Sequence, residues 1–180
     1  MPAAERGRQT HFPTKRLNAM TPRIHSLLFG LLLVLTSHTS FSAGRNDTLD
    51  VIHDYMKAWN AHNADAAAEY FSDDVEFLDA SVGTPQVGRD NAKTNVIQVF
   101  MQAVPDLKWK MLGKPIVNGD SIAFEWEFNG NNTGPWSAET PATKRPLEFK
   151  GVSFMRLKDG KILTQHDYYD ALGFNKQLGW

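Results

Sequence analysis

The sequence predicts an α+β domain in which helices come first and a meander of long antiparallel strands follows. Two patterns carry this. Between residues 46 and 104 apolar residues recur at helical spacing around one strand-like stretch, and from residue 107 onward they alternate with polar ones. Runs of helix followed by runs of strand point to α+β architecture and away from a parallel α/β sheet. A third observation bounds the answer. The 180-residue chain has no cysteine, so the core must hold the fold without disulfides, and thiol catalysis and cysteine metal sites are excluded.

The first element is a leader. Arg6, Arg8, Lys15, Arg16 and Arg23 face one acid, Glu5, and an apolar run Leu27–Leu35 (LLFGLLLVL) follows. Small and polar residues come next, among them Ser40, Ser42 and Ala43. A basic region, a short apolar run and a small-residue exit make a signal peptide. The run is about half the ~20 apolar residues of a membrane span. Residues 1–43 are therefore expected to be removed on export to the periplasm or medium, with no stable membrane anchor left. Met20 opens a leader of more ordinary length, which leaves the true start open. Residues 44–180 form one domain.

Asn46 or Asp47 is expected to cap a first helix, with Leu49, Ile52, Tyr55, Met56 and Trp59 on one face. Asn63 is placed to cap a short second helix with Ala66, Ala67 and Tyr70 inward. Val75, Phe77 and Asp79 alternate with Glu76 and Leu78 as a strand, and Gly83, Pro85 and Gly88 mark a loop. Asp90 is the expected cap of a third helix whose stripe is Val96, Ile97, Phe100, Met101 and Val104, ended by Pro105.

Strands follow. Leu107, Trp109 and Met111 alternate with lysines, and Asn118-Gly119 signals a tight hairpin. Ile122, Phe124, Trp126 and Phe128 alternate with Ala123, Glu125 and Glu127. After a polar loop with Gly130, Gly134 and Pro135, Leu147–Leu157 reads as a strand, Asp159-Gly160 as a turn, and Ile162–Tyr169 as the return. Asp170 is placed to cap a last helical turn carrying Leu172, Phe174 and Leu178. A twisted antiparallel sheet of this length curls. Net charge is −1 with no basic stripe, so nucleic acid is not expected as a partner. His166 and Asp170 lack a third ligand at a telling spacing, so no metal is expected.

This order resembles the nuclear transport factor 2-like superfamily over residues 46–180. The resemblance rests on YFSDDVEFLD (Tyr70–Asp79) and on MRLKDGKILTQHDYYDALGFNKQLG (Met155–Gly179). It implies a cone-shaped, cystatin-like roll, with three N-terminal helices enclosing a pocket on a curved, mostly antiparallel sheet. It also implies a homodimer through the open sheet face and a small apolar molecule in the pocket, with no cofactor.

Two enzyme families within it place the site residues. YFSDDVEFLDASVG (Tyr70–Gly83) is similar to the ketosteroid isomerase segment, with Ala80 where a proline is expected. That resemblance makes Asp79 the proton shuttle and Tyr55 the donor to the developing enolate. GKILTQHDYYDALGFNKQLG (Gly160–Gly179) and the NTGP loop (Asn132–Pro135) resemble SnoaL-like polyketide cyclases. There Asp167 takes the place of the acid/base for an aldol ring closure. The second polar group of both families falls at Ser153. The ending also looks like limonene epoxide hydrolase, but the FEWEF strand (Phe124–Phe128) lacks that family's Arg-x-Asp pair.

The candidate catalytic residues are Asp167, Asp79 and Tyr55. The candidate substrate-binding residues are Ser153, Trp126, Phe154, Tyr169 and Trp59. A carboxylate in an apolar cup has its pKa raised and becomes a better base. Strand period sends His166 and Asp167 to opposite faces; Asp167 is expected inside and His166 outside. Trp109, Phe124, Trp126, Phe128, Phe149 and Phe154 line a pocket or fill a core equally well, and a non-catalytic binding module of the same fold stays open beside the enzyme.

Overall fold

The apolar stripe on the first helix needs an apolar surface to lie on, and the inner face of the sheet supplies it. A computed structural model of the chain describes residues 40–180, with side chains from Thr48 onward. The leader at residues 1–43, and with it the Met20 alternative, lies outside the described residues except for its last four positions. Helix α1 (Ser40–Asn60) buries Ile52, Tyr55, Met56 and Trp59. Asn46 and Asp47 lie inside α1, so neither starts it. Helix α2 (Ala64–Ala68) is capped as expected: Asn63 Oδ1 accepts the Ala66 N–H at 2.9 Å. It is little more than one turn, and it buries Ala67 and Ala68 while Ala66 and Tyr70 are half-buried.

Strand β1 (Phe71–Asp79) begins earlier than its alternation suggests. The stretch that reads as a plain loop contains a two-residue strand, β2 (Gln86–Val87), antiparallel to β1. The third helix runs in three parts: α3 (Arg89–Ala92), a π-helical turn (Lys93–Ile97) and α4 (Gln98–Ala103). Gly88, at φ 90°, takes the cap position expected of Asp90. Asp90 lies in the first turn, where its charge suits the positive end of the helix. The π turn inserts one residue into the spiral and buries Val96 and Ile97; such turns recur at functional sites.

Strands β3 (Lys108–Asn118), β4 (Ser121–Asn131), β5 (Pro146–Lys158) and β6 (Lys161–Tyr169) form the meander. The sheet order is β2-β1-β6-β5-β4-β3, antiparallel except where β1 runs parallel to β6. Edge strand β3 tolerates Pro115 at a break in its register between Leu112 and Ile116, as edges do. Asn118 pairs with Ser121, so the hairpin loop is Gly119-Asp120, one residue later than expected. Gly119 sits there at φ 56°, a conformation glycine adopts at little cost.

Helix α5 (Ala171–Leu178) is capped by Asp170, whose Oδ1 accepts the Gly173 N–H at 3.0 Å. Phe174 and Leu178 are buried, but Leu172 is 64 % exposed. Two residues are about 200° around a helix, so Leu172 and Phe174 face opposite ways. The inner sheet face carries Trp109, Phe124, Trp126, Phe128 and Phe149, all buried. Phe154, expected to bind substrate, is instead 54 % exposed on the outer face. It follows Ser153 in β5, and successive strand residues point to opposite sides.

Candidate active site

Strand period alone puts Gln165, Asp167 and Tyr169 on one face of β6, and that face is the inner one. The parallel pairing of β1 with β6 sets Asp79 opposite Asp167. Each carboxylate is then held by its own partners. Asp167 Oδ1 accepts the Ser153 hydroxyl at 2.5 Å, and Oδ2 accepts Gln165 Nε2 at 2.9 Å. Ser153 is fully buried behind Asp167 and accepts the Trp126 indole N–H at 2.9 Å. Asp79 Oδ1 accepts the backbone N–H and hydroxyl of Ser81 at 2.8 and 2.6 Å, and Oδ2 accepts the Tyr169 hydroxyl at 2.8 Å.

Burial pushes the Asp167 carboxyl up to about 7 against the pull of the Ser153 and Gln165 hydrogen bonds, and the neighbouring Asp79 charge adds to the rise. Both protonation states of Asp167 are then populated near neutral pH. Burial, then the Asp79 charge, raises Tyr169 above the usual phenol range, so it remains a donor.

These groups face a narrow cleft with a cavity volume of about 40 Å³. Asp79, Asp167, Gln165 and Tyr169 supply its polar wall, and Trp59, Trp126, Phe77, Phe128 and Phe149 are among its apolar neighbours. An apolar pocket with a few convergent polar groups is the form that small-molecule sites take. Trp126 reaches it because β5 has a glycine beneath its ring. A Cβ at Gly151 would strike the Trp126 ring and lie 2.6 Å from the Tyr168 carbonyl oxygen. A wider vestibule adjoins the cleft and shares Asp79, Val96, Phe100 and Tyr169 with it. Among the described residues, no three His, Asp or Glu side chains are grouped to hold a metal ion.

The structure thus brings Asp167, Asp79, Tyr169, Trp126 and Trp59 together at the cleft, with Ser153 one layer behind. Tyr55 is elsewhere. It is fully buried in the aromatic core, absent from the cleft lining, and its hydroxyl donates to Gln165 Oε1 at 3.0 Å. It meets the site through Gln165, with no direct path to Asp79. His166 faces outward, with Nε2 3.0 Å from Glu76 Oε1. Gln165, Ser81 and Gly151 escaped sequence reasoning. Gln165 shares strand parity with Asp167, which was the available signal; nothing local announces the other two.

No curated protein matches the chain. The SnoaL-like domain family matches residues 52–165. Among solved structures, a protein from Jannaschia sp. described as a SnoaL-like polyketide cyclase is 15 % identical with a TM-score of 0.67, covering 76 % of this chain and 94 % of its own. A protein of ketosteroid isomerase-like fold from Catenulispora acidiphila is 18 % identical, TM-score 0.60, covering 72 % and 92 %. An LEH-like epoxide hydrolase from M. tuberculosis is 16 % identical, TM-score 0.58, covering 74 % and 90 %. At these identities the three share the fold with this chain, and the fold by itself selects none of their chemistries. The chain belongs to the SnoaL-like domain family.

Proposed function

We propose that this chain is an exported SnoaL-like protein that binds a small apolar carbonyl compound and carries out cofactor-free general acid/base chemistry on it. One observation carries the reading: Asp167 is buried at an apolar cleft, held at both oxygens, with its pKa near 7. A group poised there can both take and return a proton. Ionised Asp167 removes a proton from the carbon next to the carbonyl, and the electron pair moves onto the carbonyl oxygen as an enolate. Tyr169, whose hydroxyl donates to Asp79 Oδ2 at 2.8 Å, stands at the same wall and serves the enolate oxygen by turning that proton from Asp79 to it. On a β,γ-unsaturated ketone the proton then returns to the γ-carbon of the dienolate and the double bond moves into conjugation, which is an isomerisation. Alternatively the enolate carbon attacks a second carbonyl and the new alkoxide takes the proton, which closes a ring.

A second reading, a binding module without catalysis, has its own support. Ser153 spends its hydroxyl proton on Asp167, and Tyr55 does not line the cleft. One experiment separates the two: deuterium exchange at the α-carbons of a panel of cyclic ketones and diketones, followed by proton NMR. Catalysis predicts exchange above background that falls at least about 100-fold in Asp167→Asn. Saturable binding with no exchange supports the module, and undiminished exchange in the variant removes Asp167 from the mechanism.

The open sheet face supports a homodimer. Phe154 and Tyr168 stack edge to face there, 6.0 Å apart, and both are about half exposed. The same face carries the Lys150–Glu127 and His166–Glu76 pairs, charges of both signs that a second copy can match.

A further inference from the structure

We infer that the ligand has a second part, an uncharged polyhydroxylated ring of the sugar type, which lies in the vestibule outside the cleft. This rests on the cleft being the ligand site. The vestibule has a cavity volume of about 300 Å³ and shares Asp79, Val96, Phe100 and Tyr169 with the cleft.

Its two sides come from different elements and differ in character. The loop after β4 and helix α5 supply Trp136, Phe174 and Trp180, whose rings contact one another at 5.6, 6.2 and 6.5 Å. Trp180 is half exposed, its ring packs on Trp136 and Phe174, and its backbone is tied to helix α5. The Gly179 N–H bonds Lys176 O at 3.2 Å and the Trp180 N–H bonds Asn175 O at 2.9 Å, the paired bonds of a glycine-terminated helix end. An indole held at a cavity wall and left partly bare is a stacking surface for an apolar ring face.

Thr84, Gln86, Asn95 and Asn175 supply the other chemistry. Asn95 Nδ2 donates to Gln86 Oε1 at 2.7 Å, which fixes that pair of amides. Among the described residues, the Thr84 hydroxyl and the Asn175 amide have no protein partner. Amides and hydroxyls of this kind suit ligand hydroxyls, as donors and acceptors both.

Charge narrows the class further. Among the described residues no Lys, Arg or His lines either compartment, whereas Asp79 belongs to both and Asp167 lies in the inner one. An anionic substituent would enter next to carboxylate charge with no cation to offset it. A ring with an apolar C–H face and neutral hydroxyl edges meets all three conditions.

The test is calorimetric titration of the purified chain with 1-naphthol, 1-naphthyl β-D-glucopyranoside and 1-naphthyl phosphate. The glucoside should bind at least tenfold tighter than naphthol, and the phosphate at least tenfold weaker. Trp180→Ala and Asn175→Ala should each reduce the glucoside to the level of naphthol and leave naphthol unchanged. A glucoside that binds no tighter than naphthol, or not at all, overturns the inference, as does an advantage that survives both variants. A phosphate that binds tighter than naphthol also overturns it. The α-carbon exchange assay reports on Asp167 alone, so loss of exchange with the glucoside preference intact rejects the catalytic reading and keeps the vestibule site.

Discussion

Asp79 and Asp167 lie side by side in register on the parallel strands β1 and β6, and burial lifts the Asp167 carboxyl to about 7. Their partners differ. Asp79 sits at a strand end and accepts three hydrogen bonds, one from a backbone N–H. Asp167 sits mid-strand beneath aromatic rings, accepts two, and adjoins the Asp79 charge. The Asp79 charge beside it makes the Asp167 anion harder to form.

The raised Asp167 pKa makes stability depend on pH with a definite sign. Between about pH 4 and 7 the native state holds a proton there that the unfolded chain has released, so stability falls as pH rises through that window. A displacement of about three units is worth roughly 4 kcal/mol as an upper bound. Asp167→Asn removes the titration, so urea denaturation at pH 5 and pH 8 should show a smaller loss in the variant than in wild type. Equal losses would mean that Asp167 titrates normally.

Ser153 links Trp126 to Asp167, so Ser153→Ala has two expected effects. It leaves the buried Trp126 N–H without its acceptor, which costs about 1–3 kcal/mol. It also deletes a hydrogen bond that stabilises the Asp167 anion, so the carboxyl pKa rises further. Proton abstraction needs the ionised form, so the exchange rate climbs with pH through about 7 in wild type and inflects at higher pH in the variant. A pH–rate profile checks this; an unmoved inflection would show that Ser153 does not tune Asp167.

Tyr55→Phe separates a donor to substrate from a support of Gln165. A direct oxyanion donor would lose about 100-fold or more in rate on deletion. The Tyr55 hydroxyl donates to Gln165 and Tyr55 does not line the cleft, so the expected result is a stability loss of about 1 kcal/mol and a rate within tenfold of wild type. Chemical denaturation together with the exchange assay decides between them.

The exposed pair on the outer face predicts an assembly defect with the site intact. Phe154→Asp places a charge in the centre of the proposed dimer face, where an unpaired buried charge is costly. Sedimentation velocity should show wild type as a dimer and the variant as a monomer at the same concentration. A monomeric wild type removes the dimer.

The sequence disclosed the scaffold and part of the site, for reasons that differ residue by residue. Alternation over nine to thirteen residues is a strong signal, so β1, β4, β5 and β6 and the inward set of Asp79, Trp126, Asp167 and Tyr169 were legible. The same parity argues against Phe154, because Ser153 and Phe154 are consecutive and only one faces in. Caps were less legible. Asn63 and Asp170 cap as expected, but Gly88 displaces Asp90 because a positive-φ glycine turns the chain two residues earlier. The π turn leaves no trace in a 3.6-residue pattern. Gln165 holds Asp167 and is held by Tyr55 across 110 residues, a pairing that only tertiary structure defines.

Gly151 is the remaining case, a residue whose function is its lack of a side chain. It lies opposite Trp126 in the β4–β5 ladder and opposite Tyr169 in β5–β6. The Trp126 ring occupies the space a Cβ would take, which lets the indole lie against β5 while its N–H reaches Ser153. Gly151→Ala should push the ring away, cost about 1–3 kcal/mol through overpacking, and break the Trp126–Ser153 bond. Weaker naphthol binding and a changed pH–rate inflection are expected together, because one displacement alters both the cleft wall and the support of Asp167. Calorimetry and the exchange profile on one preparation check the pair. A variant that loses stability but keeps both properties would show that Trp126 finds its place without the glycine.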